Sequence, residues 1–165
     1  MGGWETVLVN NAGVAFAETA GQDLRDVYHR VFNMNVASVV KTCEVFLPFM
    51  KETSTDPRIV QVSSARASMT RIARGKMPPA VAISYGASKA ALNAATLELA
   101  RQNPHVTFQL ASPGHCRTDF NNNRGTKDPL DGAKVVAELV LEEAGRECGL
   151  WEIEGGDTGP VLVPW

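Results

Sequence analysis

The chain has 165 residues, of which 44% are hydrophobic, and its 16 basic and 18 acidic residues give a formal net charge of -2. This length suits one domain with a packed core, so we expect residues 1–165 to form a single domain. The charges form no basic stripe, no apolar run approaches the about 18 residues of a membrane helix, and the N-terminus lacks a signal-peptide pattern. We therefore expect no nucleic-acid partner, no membrane segment and a cytoplasmic location.

The first half of the chain predicts two buried strands separated by a long helix. The segment TVLVNNAG at 6–13 is a short, β-branched apolar run that ends in polar and glycine residues. Such a run is typical of a strand that is buried on both faces. Apolar residues at helical spacing predict a helix from Asp23 to about Met50, with the polar Asn35 on its apolar stripe. A second buried strand is predicted at 58–64, and the glycine and prolines that follow predict a loop over 65–83.

The second half continues the alternation of helices and strands. We expect a helix from Tyr85 to Gln102, a strand at 106–114, an irregular polar loop at 115–128 and a helix at 129–145. The tail at 149–165 predicts one or two short strands. Strands that alternate with helices predict an α/β fold built on a parallel sheet.

A tyrosine and a lysine stand four positions apart at the head of the helix that begins near Tyr85. Tyr85 and Lys89 share one helix face, where their side chains can interact. A phenol has a pKa of about 10, and a nearby ammonium favours the phenolate and lowers that pKa, which makes proton transfer feasible. The alternative is an exposed helix turn on which the lysine has no chemical role.

Two further polar residues gain interest from their positions. Ser64 ends the second predicted strand, at the sheet edge where parallel strands place their functional residues, and its hydroxyl could bind a substrate oxygen beside the phenol. Asn35 interrupts an apolar stripe, where a buried amide needs hydrogen-bond partners. The alternatives are a hydroxyl that merely ends a strand and a core asparagine that is satisfied locally.

Five short segments, in this order, resemble the short-chain dehydrogenase/reductase family. They are NNAG at 10–13, NMNV with Asn35, VSS with Ser64, YGASK with Tyr85 and Lys89, and SPGHCRT ending at Thr118. The resemblance implies a Rossmann-like, doubly wound parallel sheet in three α/β/α layers. It also implies hydride exchange between NAD(P)H and a carbonyl or alcohol substrate.

The resemblance implies a catalytic tetrad. Tyr85 would give or take the proton of the alcohol, while Lys89 would lower the pKa of Tyr85 and hold the nicotinamide ribose. Ser64 would orient the substrate oxygen, and Asn35 would hold a water molecule in the proton relay.

The resemblance also implies which residues meet the cofactor, for which we expect NADP, with NAD as the alternative. Tyr85 and Lys89 belong to this set as well as to the tetrad. Asn11, Ala12 and Gly13 would pass beside the adenosine ribose, and Cys116 and Thr118 would meet the nicotinamide carboxamide. A homodimer or homotetramer is implied as the assembly of the complete protein.

Two departures from the family pattern affect these expectations. Ser64 and Tyr85 are 21 positions apart, against about 13 in the family, which predicts an insertion beside the substrate cleft. The sequence also contains no T-G-x-x-x-G-x-G turn, which in the family binds the pyrophosphate within about 80 residues that precede this region. We thus expect the catalytic half of a longer reductase, truncated at its N-terminus; the alternative is an impaired remnant that acts as an interaction or dimerisation subunit.

A third interpretation is a serine hydrolase, because GASKA at 86–90 loosely fits a nucleophile elbow around Ser88, and His115 follows it. We expect no metal site, because the histidines and cysteines lack the spacing of metal ligands. These residues are His29, His105, His115, Cys43, Cys116 and Cys148.

Overall fold

The computed structural model describes residues 6–141, 146–155 and 158–165. The strands in these ranges are β1 (Val7–Asn10), β2 (Arg58–Val62), β3 (Thr107–Ala111), β4 (Leu150–Glu152) and β5 (Val161–Leu162). The α-helices are α1 (Leu24–Phe32), α2 (Ser38–Thr53), α3 (Met69–Ala73), α4 (Ile83–Gln102) and α5 (Pro129–Leu141). A π-turn spans Asn33–Ala37, and short 3₁₀ turns span Ala65–Ala67 and Asp119–Asn121.

The strands form one sheet in the order β1-β2-β3-β4-β5. The first four strands are parallel, and β5 pairs antiparallel with β4. Val60 of β2 is paired with Val9 of β1 on one side and with Gln109 of β3 on the other. The prediction of an α/β fold with a mainly parallel sheet is confirmed.

Helices cover both faces of the sheet, because successive side chains of a strand point to opposite sides. Ile59 and Phe108 face α2, where they pack with Cys43, Leu47 and Met50. Val60, one position after Ile59, and Ala111, three positions after Phe108, point the other way and pack with Val135 and Leu139 of α5. The three-layer, doubly wound arrangement is therefore present in the described residues.

The long helix predicted from Asp23 to about Met50 is present, but it is not uniform. Asp23 caps α1 by accepting a hydrogen bond from the Arg25 N–H at 2.8 Å, and α2 runs on to Thr53. Between α1 and α2 the backbone widens into the π-turn Asn33–Ala37, with Asn35 buried at its centre. Such turns insert an extra residue into a helix, and they are frequent at functional sites.

The segment predicted as a loop over 65–83 is partly helical. Ser68 caps α3, because its hydroxyl accepts a hydrogen bond from the Arg71 N–H at 3.1 Å. The tail of the chain holds this helix in place: the Trp165 carbonyl accepts from the Thr70 N–H at 2.8 Å, and Arg71 forms an ion pair with Glu152. These partners are some 80 or more residues away, so local sequence did not reveal them.

The bounds of the remaining elements agree with their predictions to within a few residues. The prediction that the first strand is buried on both faces is wrong: in the described residues β1 is at the edge of the sheet, and Val9 is 38% exposed. Helix α4 begins at Ile83, two residues before the predicted start at Tyr85. Helix α5 is described to Leu141, and residues 142–145 of the predicted helix lie outside the described residues. Within the described ranges, no helix combines the length and the apolar character needed to cross a membrane.

Candidate functional site

The candidate site lies at the sheet edge where β1, β2 and β3 end. Gly13, which follows β1, is so close to its neighbours that a Cβ atom there would lie 3.3 Å from Asn35 Oδ1 and 3.5 Å from Lys89 Nζ. The ends of β2 and β3 are joined by a hydrogen bond of 2.9 Å from the Ala65 N–H to Ser112 Oγ. The edge predicted from strand order therefore gathers segments that are distant in sequence.

Lys89 projects from α4 into this edge and is almost completely buried, with 3% of its surface exposed. Its Nζ donates a hydrogen bond of 2.7 Å to the carbonyl oxygen of Val62, the last residue of β2. Burial lowers the pKa of Lys89 from 10.5 to about 8, because the low-dielectric surroundings disfavour the charged form. An ammonium has three N–H donors, so the bond to Val62 leaves capacity for further acceptors.

Tyr85 lies one helical turn before Lys89, with its ring centroid 5.8 Å from Lys89 Nζ. Burial raises the pKa of Tyr85, and a hydrogen bond with the Ser64 side chain lowers it by less. The expected net lowering by Lys89 is thus wrong for this structure. The reason is that desolvation opposes the phenolate, while the ammonium is directed at the Val62 carbonyl.

Ser64 has both a structural role and a place in the site. Its Oγ accepts a hydrogen bond of 3.2 Å from the Arg66 N–H and so caps the 3₁₀ turn that follows β2. The same side chain interacts with the Tyr85 phenol. The alternative of a hydroxyl that merely ends a strand therefore accounts for the capping bond of Ser64, but not for its contact with Tyr85.

Asn35 is fully buried, and its amide is bound by residues far away in sequence. Its Oδ1 accepts from the Val14 N–H at 2.8 Å, and its Nδ2 donates to the Val14 carbonyl at 2.9 Å and to Ser88 Oγ at 3.0 Å. The alternative of a locally satisfied asparagine is wrong. Asn35 instead joins the segment after β1 to helix α4.

Ser88 is the third partner in this network and is also fully buried. Its hydroxyl donates a hydrogen bond of 2.7 Å to the Tyr85 carbonyl oxygen one turn earlier. The residue lies within α4, whereas a nucleophile elbow needs a sharp turn between a strand and a helix. The serine hydrolase interpretation is therefore wrong.

The residues predicted to bind the cofactor lie on two loops at this edge. Asn11 and Ala12 are exposed directly after β1, and Gly13 is partly buried beside Lys89. Cys116 and Thr118 lie in the loop after β3, where the Asn121 side chain donates to the Cys116 carbonyl at 2.7 Å. The Cys116 thiol lies against Gly132 of α5.

Two further residues lie at the site that the sequence patterns did not predict. Phe120 lies two positions after Thr118, and its ring lies against the Tyr85 ring with the centroids 5.5 Å apart. Glu18 accepts a hydrogen bond of 2.7 Å from the Ser84 N–H at the start of α4. An apolar residue in a polar loop could have drawn attention to Phe120, whereas nothing local marks Glu18.

A cavity of about 810 Å³ opens beside the site, between the ends of β3 and β4 and the first turns of α5. Its wall includes Ser112, which contacts Ala65 next to Ser64, but Tyr85 and Ser64 do not line it. Its lining carries two basic residues, Lys127 and Lys134, and four acidic ones, Asp128, Asp131, Glu152 and Glu154. Within 6–141, 146–155 and 158–165, no cluster of three His, Cys, Asp or Glu residues could hold a metal ion.

Comparison with known sequences gives a consistent result. The profile of the short chain dehydrogenase family matches residues 6–129. The short-chain dehydrogenase anuI of Penicillium roqueforti is 29% identical over 151 residues, which are 86% of this chain and 59% of anuI. Sulfoacetaldehyde reductase 2 of Chromohalobacter salexigens is 32% identical over 153 residues, which are 83% of this chain and 57% of that protein. The chain thus spans less than two thirds of the length of these relatives.

Solved structures share the fold at low sequence identity. The carbonyl reductase Sniffer of D. melanogaster has a TM-score of 0.76 at 22% identity, covering 96% of this chain and 66% of that one. The Pseudomonas aeruginosa RhlG complex with NADP has a TM-score of 0.74 at 21% identity, covering 91% of this chain and 65% of that one.

Proposed function

Because this chain belongs to the short-chain dehydrogenase family, we propose that it exchanges a hydride between NADP(H) and a carbonyl or alcohol substrate. Tyr85, Ser64, Lys89 and Asn35 are the proposed catalytic residues. The observation that carries the proposal is the convergence of Ser64, Lys89 and the Asn35 network on Tyr85 at the edge of a parallel sheet.

In the direction of carbonyl reduction, Tyr85 is the proposed acid. Its raised pKa keeps the phenol protonated at neutral pH, so the hydroxyl has a proton to give to the carbonyl oxygen. Ser64, which already interacts with the phenol, would donate a hydrogen bond to the same substrate oxygen. That oxygen becomes the hydroxyl of the product alcohol as the proton arrives and Tyr85 is left as a phenolate.

Lys89 and Asn35 are proposed to support this proton transfer. The Lys89 ammonium lies one turn from Tyr85 and would stabilise the phenolate electrostatically. Asn35 holds the segment after β1 and, through Ser88, the first turns of α4. Since its side-chain amide is already engaged, a water in the proton relay would bind to the backbone of the π-turn.

The residues at this edge fit a dinucleotide. Gly13 leaves open the space that a Cβ would fill next to Lys89, and the spare N–H donors of Lys89 suit ribose hydroxyls. Asn11, Ala12 and Gly13 would then lie along the adenosine ribose, and Cys116, through its backbone, and Thr118 would meet the carboxamide. When bound, the nicotinamide supplies or accepts the hydride. We propose NADP because members of the same fold, such as RhlG, are named as NADP complexes; NAD is the alternative.

Replacement of Tyr85 by phenylalanine tests the proposal. Tyr85→Phe removes the proton donor and keeps the ring, so we expect NADPH-dependent reduction of a test aldehyde to fall by about 100-fold or more. NADPH binding, followed by the fluorescence of the dinucleotide, should change little.

Tyr28→Phe is the matched control, since the chain has two tyrosines and Tyr28 lies on α1, stacked on Phe32. It should leave turnover unchanged. Equal turnover in Tyr85→Phe and the parent protein would refute the proposed role of Tyr85.

A second candidate function is that of a non-catalytic interaction subunit, favoured by an apolar surface on α2. Val45, Phe46 and Phe49 of this helix are 60%, 46% and 57% exposed. Exposed apolar groups of this size mark surfaces that associate with other proteins, and a homodimer through α2 is our proposal for them.

Size-exclusion chromatography together with NADPH titration separates the two functions. A dimer that binds NADPH supports the reductase, and a dimer that does not bind it supports the interaction subunit. Phe49→Glu on α2 should convert either dimer to monomer.

A further inference from the structure

Helix α4, which carries Tyr85 and Lys89, begins without a capping side chain of its own. Its N-cap residue is Ala82, which has no side-chain acceptor for the first-turn N–H groups. The first N–H groups of a helix lack partners within the helix and require outside acceptors. The start of α4 therefore depends on another part of the chain.

Glu18 supplies that acceptor from a segment 66 residues earlier. Its carboxylate accepts a hydrogen bond of 2.7 Å from the Ser84 N–H, and its own N–H donates to the Val81 carbonyl at 3.1 Å. The two bonds hold both sides of the junction between the inserted segment and α4. Tyr85 is the residue directly after Ser84.

The segment that carries Glu18 is itself fixed to the rest of the site. Val14 is bound through both of its backbone groups to the Asn35 amide, and Gly13 packs beside Lys89. Residues 13–18 therefore form a short segment that is hydrogen-bonded to the π-turn at one end and to the first turn of α4 at the other. A displacement of Glu18 would be transmitted to the residue that precedes Tyr85.

We propose that Glu18 is a positioning residue for Tyr85: its carboxylate fixes the first turn of α4 and thereby the depth at which the phenol is buried beside Ser64. This inference rests on the proposed function of Tyr85, but it makes a claim about placement that does not require turnover. The Ser84 N–H bond lowers the pKa of Glu18, so the carboxylate is ionised at neutral pH, and an anion is favourable at a helix N-terminus.

The titration of Tyr85 reports this placement without any cofactor. In a Tyr28→Phe background Tyr85 is the only tyrosine of the chain, so the ultraviolet absorption of phenolate follows it alone. The groups beside its phenol and its helix start are Lys89, Ser64 and Glu18. Each variant is made in this background of the full 165-residue chain, and far-ultraviolet circular dichroism checks its fold.

Glu18→Ala removes the acceptor of the Ser84 N–H. The first turn of α4 is then held less firmly, and a phenol that is less buried has a lower pKa, because burial is what raises it. We expect its midpoint to fall by about 0.5 pH units or more, and amide hydrogen exchange in the first turn of α4 to rise by roughly fivefold. Glu18→Gln keeps an acceptor oxygen for Ser84, so it should shift the midpoint less than Glu18→Ala and preserve the slow exchange. Glu98→Gln, on the exposed face of α4, is the control and should change neither measurement.

The proposal is overturned if Glu18→Ala titrates like the parent protein, or if Glu18→Gln shifts the midpoint as much as Glu18→Ala does. Activity is measured separately. If Tyr85→Phe does not reduce turnover while the Glu18 variants still follow the expected order, the placement stands and the proposed catalytic function fails.

Discussion

The side-chain amide of Asn35 pairs with both backbone groups of Val14, accepting from its N–H at 2.8 Å and donating to its carbonyl at 2.9 Å. This pairing imitates the hydrogen bonds of a neighbouring strand and fixes the segment after β1. Asn35→Ala should therefore leave the N–H and carbonyl of Val14 without their partner and remove the hydrogen bond that Ser88 Oγ accepts. We expect the free energy of unfolding to fall by about 2 to 4 kcal/mol, measured by urea denaturation.

Asn35→Asp is the matched variant, because a carboxylate keeps the shape and the acceptor but cannot donate to the Val14 carbonyl. It should be destabilised at neutral pH as well. A change of less than about 0.5 kcal/mol in Asn35→Ala would show that the network is dispensable for stability.

The burial of Lys89 is predicted to lower the free energy of unfolding at neutral pH. Its pKa of about 8 lies below the ordinary value of 10.5, so the unfolded chain binds the proton more tightly than the folded one. Between pH 8 and about 10.5 the contribution of Lys89 to the free energy of unfolding should rise with pH, and below pH 8 its full cost of about 3 kcal/mol is present. Lys89→Met removes that cost but loses the bond to Val62, so it should gain about 2 kcal/mol at pH 7 while reduction is lost.

The pH dependence distinguishes this effect from a change in packing. The gain of Lys89→Met should shrink as the pH rises from 8 toward 10.5, when Lys89 becomes neutral in both states. Lys134→Met, at an exposed lysine of α5 that pairs with Asp131 on the surface, is the control and should show no comparable dependence on pH. A gain that is the same at pH 7 and pH 10 would contradict the explanation.

Phe120 is predicted to contribute to substrate binding because it contacts Tyr85 and 49% of its surface is exposed. An apolar group of the substrate that lies against Tyr85 would also meet this ring. Phe120→Ala should raise KM for an aromatic aldehyde by about fivefold to tenfold, since an aromatic contact contributes about 1 kcal/mol. KM for a short aliphatic aldehyde should change much less.

Steady-state kinetics with the two aldehydes measures this difference. Phe49→Ala removes a similarly exposed ring from α2 and is the control, with no change expected in either KM. Equal changes for both aldehydes would argue against an aromatic contact.

A side chain at position 132 is predicted to destabilise the protein, because Gly132 lies against Cys116. A Cβ at Gly132 would lie 2.1 Å from Cys116 Sγ and 3.2 Å from the Pro113 carbonyl oxygen. Gly132→Ala should thus lower the free energy of unfolding by about 1 to 3 kcal/mol, although alanine is the better helix former. Thermal denaturation measures the loss.

Cys116→Ala provides the control, because it removes the thiol that the new methyl group would meet. The double variant Gly132→Ala, Cys116→Ala should recover most of the stability lost by Gly132→Ala alone. No recovery would mean that the Pro113 contact, and not the thiol, decides the cost.

Local sequence patterns predicted most of the elements but not the interruptions. The apolar stripe from Asp23 to Met50 correctly indicated a helix, and it marked Asn35 as unusual. The π-turn around Asn35 could not be read from that stripe, because a one-residue insertion in a helix depends on the partners that Val14 and Ser88 provide. Likewise, α3 formed in a segment predicted as a loop because the tail of the chain supplies its partners.

Sequence patterns alone predict the succession of the strands and long helices, the placement of Tyr85 and Lys89 on one helix face, and the strand end that holds Ser64. These follow from side-chain periodicity and from the rule that parallel strands end at one edge. The folded chain was needed to show that Glu18 caps α4, that Phe120 lies on Tyr85 and that burial raises the pKa of Tyr85. The reason is physical: hydrogen bonds between distant segments and the loss of solvent around a charge depend on how the whole chain packs.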